Sequence, residues 1–173
     1  MNFSHQIKQR NTDEWFTPPE AVRIIVPYLK AKRYKRILCP FDKENSEFVK
    51  VLRGGGFEVT HGHIETGEDF FERTDLQDFD AIVSNPPFSK RQAIFEKLFQ
   101  AGTPFALIIN WNGLFDSKAR WRLFKANTFE LIVPLGRIHF FNDKCEGNAP
   151  NFQSVYVCCG MVNKQIEFAG GEK

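Results

Sequence analysis

The chain has 173 residues, of which 42% are hydrophobic and 14% aromatic, and this length supports one domain with its own core. A formal net charge of only +2 excludes a protein that is strongly basic throughout, although it leaves room for a local basic patch. Four cysteines without a Cys-x-x-Cys pair indicate neither a zinc site nor a disulfide framework.

The chain begins with a polar segment, residues 1–13, that lacks the apolar stretch of a signal peptide or a membrane helix. We expect this segment to be a mobile arm and the protein to be cytoplasmic, without membrane contact. Hydrophobic spacing then predicts a helix over 21–29, a strand over 37–39, a helix over 46–52 and a strand over 57–60.

The remaining predicted elements continue the alternation of strands and helices. They are a strand over 81–83, a helix from 94 to Gly102, a strand over 105–109, a helix over 119–125, and strands over 129–133 and 154–159. Residues 137–153 lack a regular pattern, which predicts a functional or mobile loop. The alternation predicts an α/β fold with a mostly parallel sheet flanked by helices, in a single domain over 1–173.

The most informative segment is the polar loop that follows the predicted strand 81–83. Its sequence is Ser84-Asn85-Pro86-Pro87-Phe88, and the two prolines stiffen it because each fixes φ and removes a backbone N–H. The Asn85 side-chain oxygen and the Pro86 carbonyl could each accept one hydrogen from the exocyclic amine of a nucleobase, while Phe88 offers a stacking face. The plain alternative is a turn without a catalytic role.

The tetrad Asn85-Pro86-Pro87-Phe88 resembles the catalytic motif of the amino-methyltransferases. These enzymes use S-adenosylmethionine (AdoMet) to methylate adenine N6 or, with serine in the first position, cytosine N4. The run Pro40-Phe41-Asp42-Lys43-Glu44-Asn45-Ser46 is similar to small methyltransferase-like proteins of phages and prophages. The resemblance implies a Rossmann-like class I AdoMet-dependent methyltransferase that modifies adenine N6 in DNA, in a bacterial host or a phage-infected cell.

The resemblance also implies cofactor-binding residues near the N-terminus. Residues 11–18 are similar to the motif in which Thr-Pro, before the first helix, closes over the methionine end of AdoMet. Trp15, Thr17 and Pro18 are the matching residues. The alternative for Thr17 is a simple helix N-cap.

Further cofactor contacts are implied after the first and second strands. Asp69 and Phe70 match a segment whose aspartate accepts a hydrogen bond from the cofactor's adenine amine, although a helix cap beside core phenylalanines is the alternative. Pro40, Asp42 and Ser46 replace the usual glycine-rich turn, and Asp42 is expected to reach the cofactor's ammonium group. Asn85 also borders the cofactor in this interpretation.

One expected cofactor ligand is missing from its usual position. Where an acidic residue normally binds the ribose, the chain has His61-Gly62-His63, and either His63 or Glu65 could substitute for it. The two histidines lack a third ligand nearby in the sequence, so we do not expect a metal site.

The substrate side of the site is less clearly marked. Phe140 lies in a segment, 137–141, that resembles the late motif whose aromatic residue holds the flipped base, with an ordinary core residue as the alternative. Lys90, Arg120 and Arg122 are expected to contact nucleic acid, and residues 111–125 mix basic side chains with two tryptophans. The alternative is a solvated helix whose tryptophans face the core. Without a separate target-recognition domain, we expect weak sequence specificity or a partner subunit.

Two further functions stay open at this level. RNA adenine methylation is the nearest alternative, because the segment Asn85-Pro86-Pro87, which we call the Asn-Pro-Pro bracket, recognises only the base. Methylation of cytosine N4 ranks lower. A catalytically silent AdoMet-fold protein that binds nucleic acid or another protein is favoured by the glycine-free turn. The intact Thr17, Asp69 and Asn85 argue against such a protein.

Overall fold

The computed structural model describes residues 16–141 and 152–170, which form an α/β fold with a seven-stranded mixed sheet flanked by helices. The helices are α1 (Pro19–Arg23), α2 (Val26–Ala31), α3 (Glu47–Gly54), α4 (Arg91–Ala101) and α5 (Lys118–Ala126). The strands are β1 (Arg36–Cys39), β2 (Glu58–His61), β3 (Ala81–Ser84), β4 (Phe105–Asn110), β5 (Glu130–Pro134), β6 (Ser154–Cys159) and β7 (Ile166–Ala169). The expected arm over 1–13 and most of the expected loop over 137–153 lie outside the described residues.

The strand order is β2-β1-β3-β4-β6-β5-β7. Four of the six strand pairs are parallel, as the alternation of strands and helices predicts. The exception is β6, which lies antiparallel between β4 and β5. All of the other strands therefore end at one edge of the sheet, which we call the carboxyl edge.

The core consists of two layers, one on each face of the sheet. Ile37, Val83 and Ile108 pack on the face covered by α1 and α3, whereas their strand neighbours pack on the face covered by α4 and α5. Successive side chains of a strand point to opposite faces, so a strand covered on both sides is apolar throughout. Much of the phenylalanine content is used on the second face, where the rings of Phe95 and Phe124 lie 5.1 Å apart.

The structure corrects one predicted element and adds one that was not predicted. The predicted helix over 21–29 is two helices, because Pro27 has no N–H to donate to the carbonyl of Arg23 and its ring would contact that carbonyl. The apolar face of the predicted helix continues across the two helices, and Ile25 and Leu29 are fully buried. The edge strand β7 was not predicted, since its four residues alternate between exposed and half-buried positions without a strong apolar signal.

The strand order places a topological switch point between β1 and β3. The chain leaves β1 for β2 on one side and later returns to β3 on the other, so the loops after β1 and β3 diverge. In open α/β sheets, ligands bind in the crevice formed by such loops at the carboxyl edge. Both the turn from Pro40 to Ser46 and the loop from Asn85 to Phe88 begin here. Among the described residues, no helix has the length and apolar character needed to cross a membrane.

Candidate active site

A buried carboxylate joins the elements at the switch point. Asp42 is only 7% exposed, and its Oδ1 accepts a hydrogen bond from Ser46 Oγ at 2.5 Å while Oδ2 accepts one from Ser84 Oγ. Ser46 is the N-cap of α3, and its Oγ also accepts from the N–H of Phe48 at 3.2 Å. Asp42 therefore ties the turn after β1 to the start of α3 and the end of β3.

Burial raises the pKa of Asp42 from 3.8 to about 6, because the carboxylate loses its hydration. Hydrogen bonds from Ser46 and Ser84 and the charge of His61 lower the pKa in part. No lysine or arginine of the described residues forms a salt bridge with Asp42. A buried carboxylate without a basic partner in a crevice is typical of a functional site, because it could pair there with a cationic ligand.

The turn after β1 contains no glycine, but Gly62, in the loop after β2, lies against it. Asp42 forms a β-bridge with Gly62, whose N–H donates to the carbonyl of Cys39 at 3.1 Å. A Cβ atom on Gly62 would lie 2.9 Å from Glu68 Oε2, so a larger residue would displace that side chain. Pro40 is buried within the same turn.

The side-chain amide of Asn85 contacts Thr17 at the start of the next loop. Its Nδ2 donates to Thr17 Oγ1 at 3.2 Å, and Oδ1 has no hydrogen-bond partner within the described part of the chain. Pro86 is buried, whereas the Phe88 ring is 49% exposed. An acceptor and an exposed ring therefore stand together at the carboxyl edge.

Thr17 is not the helix cap that its position suggested as an alternative. The N-cap of α1 is Pro18, whose carbonyl accepts from the N–H of Ala21, and no side chain caps this helix. The residue before Thr17 is held by a β-bridge, in which the N–H of Phe16 donates to the carbonyl of Phe141 at 2.7 Å and the carbonyl of Phe16 accepts from the N–H of Phe141 at 3.2 Å. Trp15 lies outside the described residues.

Asp69 performs the capping role and keeps one oxygen available. Its Oδ1 accepts from the N–H of Phe71 at 2.9 Å and caps a short 3-10 turn over Phe70–Glu72. Within 16–141 and 152–170, Oδ2 has no hydrogen-bond partner. Phe70 is buried, and its ring centroid lies 4.9 Å from that of Phe41, a residue that was not among the predicted site residues.

The two proposed substitutes for a ribose ligand differ in their surroundings. Glu65 forms an ion pair with Lys43, with Oε2 and Nζ 2.5 Å apart. His63 is half-buried, and its Nδ1 accepts from the N–H of Glu65 at 3.2 Å. Across the described ranges, no group of three or more His, Cys, Asp or Glu side chains is placed to hold a metal ion.

The two arginines of α5 differ in their surroundings. Arg120 is half-buried and donates to the carbonyls of Gly113 at 2.9 Å and Leu114 at 3.2 Å, so it stabilises the loop after β4. Arg122 is exposed. The tryptophans of this segment do not face the core, since Trp111 is 41% and Trp121 51% exposed.

Two other predicted substrate residues differ in accessibility. Phe140 is 8% exposed and belongs to the apolar layer next to α1, so little of its ring is open to a ligand. Lys90 is exposed, and its Nζ lies 5.4 Å from the centroid of the Phe71 ring.

Comparisons with protein families and with curated proteins do not guide the interpretation of this site. No protein-family model matches the chain, and no curated protein matches it. A function for this chain must therefore be inferred from its residues and their geometry.

Proposed function

We propose that the protein transfers a methyl group from AdoMet to the N6 amine of adenine in DNA. The observation that carries this proposal is the meeting of three separate segments at the switch point. Thr17 contacts Asn85 across 68 residues of sequence, and Asp42 contacts Ser84 across 42 residues. The Asn-Pro-Pro bracket thus follows directly after Ser84, whose hydroxyl is bound to the buried carboxylate, at the edge where α/β sheets bind ligands.

The bracket suits a weakly nucleophilic amine. The lone pair of adenine N6 is delocalised into the ring, so the nitrogen must pyramidalise before it can attack a methyl group. Asn85 Oδ1 and the Pro86 carbonyl each accept one amine hydrogen, which favours this geometry and stabilises the positive charge that develops on nitrogen. Neither oxygen accepts a hydrogen bond from another described residue.

The carboxylates of the site fit the polar groups of AdoMet, which when bound supplies a methyl group activated on a sulfonium. Asp42 would bind the ammonium group, because an opposite charge relieves the penalty of burying a carboxylate. Asp69 Oδ2 would accept from the adenine amine, with Phe41 and Phe70 as the apolar wall. Pro18, Pro40 and Ser46 complete the lining in this proposal.

Replacing Asp69 with asparagine tests the cofactor contact apart from the cap. Asparagine retains an oxygen for the N–H of Phe71, but it places an NH2 group where Oδ2 was. We expect AdoMet affinity to fall by roughly 1–3 kcal/mol in calorimetric titration, since an acceptor becomes a donor. The melting temperature should stay near that of the wild type. Unchanged affinity would place the cofactor's adenine elsewhere.

The target base must leave the duplex to reach the bracket. N6 of a stacked adenine is inaccessible to Asn85, so the nucleotide has to be extruded into the crevice. The exposed ring of Phe88 would replace part of the lost stacking, on the order of 1–3 kcal/mol. Lys90, two residues later and also exposed, would approach the neighbouring phosphates.

The two arginines of α5 give a matched test of phosphate contact. We expect Arg122→Gln to reduce the slope of log affinity against log salt by about 0.9, as loss of one phosphate contact would do in B-DNA. Arg120→Gln should mainly lower the melting temperature, because it removes two hydrogen bonds to loop carbonyls. Fluorescence anisotropy over a salt series, together with thermal melts, measures both effects. An unchanged slope in Arg122→Gln would exclude this face from the DNA interface.

Labelled AdoMet incubated separately with DNA and with RNA tests the proposal against its alternatives. We expect transfer of label to DNA. Transfer to RNA alone would favour the RNA adenine methyltransferase. AdoMet binding without transfer to either polymer would favour the silent binding protein, which the glycine-free turn after β1 also supports.

A further inference from the structure

An asparagine amide can face a ligand with either of two opposite groups. Its oxygen accepts hydrogen bonds, whereas its nitrogen donates two. A substrate amine needs the oxygen of Asn85, and a rotation of the amide by half a turn would present N–H groups to another donor. A neighbour that accepts from the nitrogen leaves the oxygen free for the amine.

Thr17 is such a neighbour: its hydroxyl anchors the amide, and an approaching amine, which donates, favours the orientation with the nitrogen on the side of Thr17. Thr17 Oγ1 lies 3.2 Å from Asn85 Nδ2, and this is the amide's only hydrogen bond to the described residues. Because the nitrogen is bound on the side of Thr17, Oδ1 points away from it. If the hydroxyl were absent, whichever amide group lay on that side would lack a partner, and the amide would no longer be anchored beside Pro86.

Both partners of this hydrogen bond are held by their neighbours. Thr17 is 7% exposed, and it lies between Phe16, which pairs with Phe141, and Pro18, which caps α1. Asn85 follows Ser84, whose hydroxyl is bound to Asp42. The distance between Thr17 and Asn85 is thus fixed by the fold.

We propose that Thr17 is a positioning residue, which holds the amide of Asn85 with Oδ1 toward the substrate amine. This inference rests on the proposed function and gives Thr17 a different role from cofactor binding. A residue that acts through Asn85 affects the rate of transfer, whereas a residue that binds AdoMet affects its KM.

The variants Thr17→Val and Thr17→Ser separate the hydroxyl from the shape of the side chain. Valine has nearly the shape of threonine without the hydroxyl, and serine keeps the hydroxyl. We expect T17V to lower kcat roughly 10- to 100-fold, since misplacement of a reacting group typically has effects of this size. Its KM for AdoMet should stay close to the wild-type value, and T17S should retain most of the turnover.

A second measurement reports the orientation without any turnover. The side-chain amide of Asn85 gives a pair of NMR signals, which can be assigned by their loss in Asn85→Ala. These signals should be similar in the wild type and T17S and shifted in T17V. Unshifted signals in T17V would overturn the inference.

The kinetic outcomes distinguish this inference from the function on which it rests. A wild-type protein that transfers no methyl group contradicts the proposed function itself. An active wild type with an equally active T17V overturns the role of Thr17 alone. A T17V defect confined to KM for AdoMet, or one that T17S shares in full, also overturns it, because either result assigns Thr17 to another role.

Discussion

Replacing Asn85 with alanine is expected to lower methyl transfer at least about 100-fold, because the variant loses an acceptor for the amine in the transition state. The fold should be retained. Asn85 is half-buried, and its side chain makes a single hydrogen bond within the described regions, to Thr17. Turnover with labelled AdoMet, together with thermal melting and calorimetric titration of AdoMet, measures each expectation.

Asn163→Ala is the matched control for this variant. Asn163 is an exposed amide in the turn between β6 and β7, at the sheet edge opposite the site. From the described residues its side chain accepts a single long bond, of 3.4 Å from Lys32. Its turnover should equal that of the wild type. If Asn85→Ala retained turnover as well, the mechanism built on the Asn-Pro-Pro bracket would be wrong.

The second large effect is a gain in stability on replacing Asp42 with asparagine. The pKa of Asp42 rises from 3.8 to about 6 on folding, and one pKa unit corresponds to about 1.4 kcal/mol, so ionising the buried group costs about 3 kcal/mol. Asparagine has nearly the same shape and carries no charge. We therefore expect the variant to be more stable at pH 8 by up to about 3 kcal/mol and its melting temperature to rise by roughly 6–12 °C.

The pH dependence of this gain has a definite direction. Between pH 4 and 6 the folded chain holds a proton on Asp42 that the unfolded chain has released, so the wild type loses stability as pH rises through this window. The difference between Asp42→Asn and the wild type should vanish near pH 3.5 and grow to its full size above pH 6. Denaturant titrations over a pH series measure it. At the same time the variant should bind AdoMet more weakly.

Asp80 provides a control of opposite sign. Backbone N–H groups of Arg36 and Lys35 donate to its carboxylate and lower its pKa. The ionised Asp80 therefore adds to the free energy of unfolding at neutral pH, and this stabilisation is lost as the pH falls through the pKa of Asp80 in the folded protein. Asp80→Asn should therefore lose stability at neutral pH and approach the wild type in acid. If Asp42→Asn were destabilised at every pH, Asp42 would be a structural residue.

The architecture was predictable because its signals are local. Strands β1, β3 and β4 are apolar runs at nearly the predicted positions, and the termination of α4 by Gly102 requires only the neighbouring sequence. The direction of β6 was not predictable, because the pairing of a strand depends on partners far away in sequence. The break between α1 and α2 could have been predicted from Pro27, which interrupts an otherwise regular apolar stripe.

The candidate site was predictable in its residue types and not in its contacts. Motif resemblance and strand ends selected Thr17, Asp42 and Asn85. The hydrogen bonds that join Asp42 to Ser84 and Thr17 to Asn85 connect residues 42 and 68 positions apart, and no local pattern encodes them. Arg120 was predicted to contact DNA because it is basic. In the structure its guanidinium donates hydrogen bonds to two loop carbonyls, a contact that the sequence did not indicate.

Mass spectrometry of nucleosides tests the central claim most directly. DNA would be incubated with AdoMet carrying an isotopically labelled methyl group, in parallel with the wild type and Asn85→Ala, and then digested to nucleosides. The account predicts labelled N6-methyladenine with the wild type and at most about one hundredth as much with the variant. Labelled N4-methylcytosine in its place, or equal N6-methyladenine with both proteins, would contradict it.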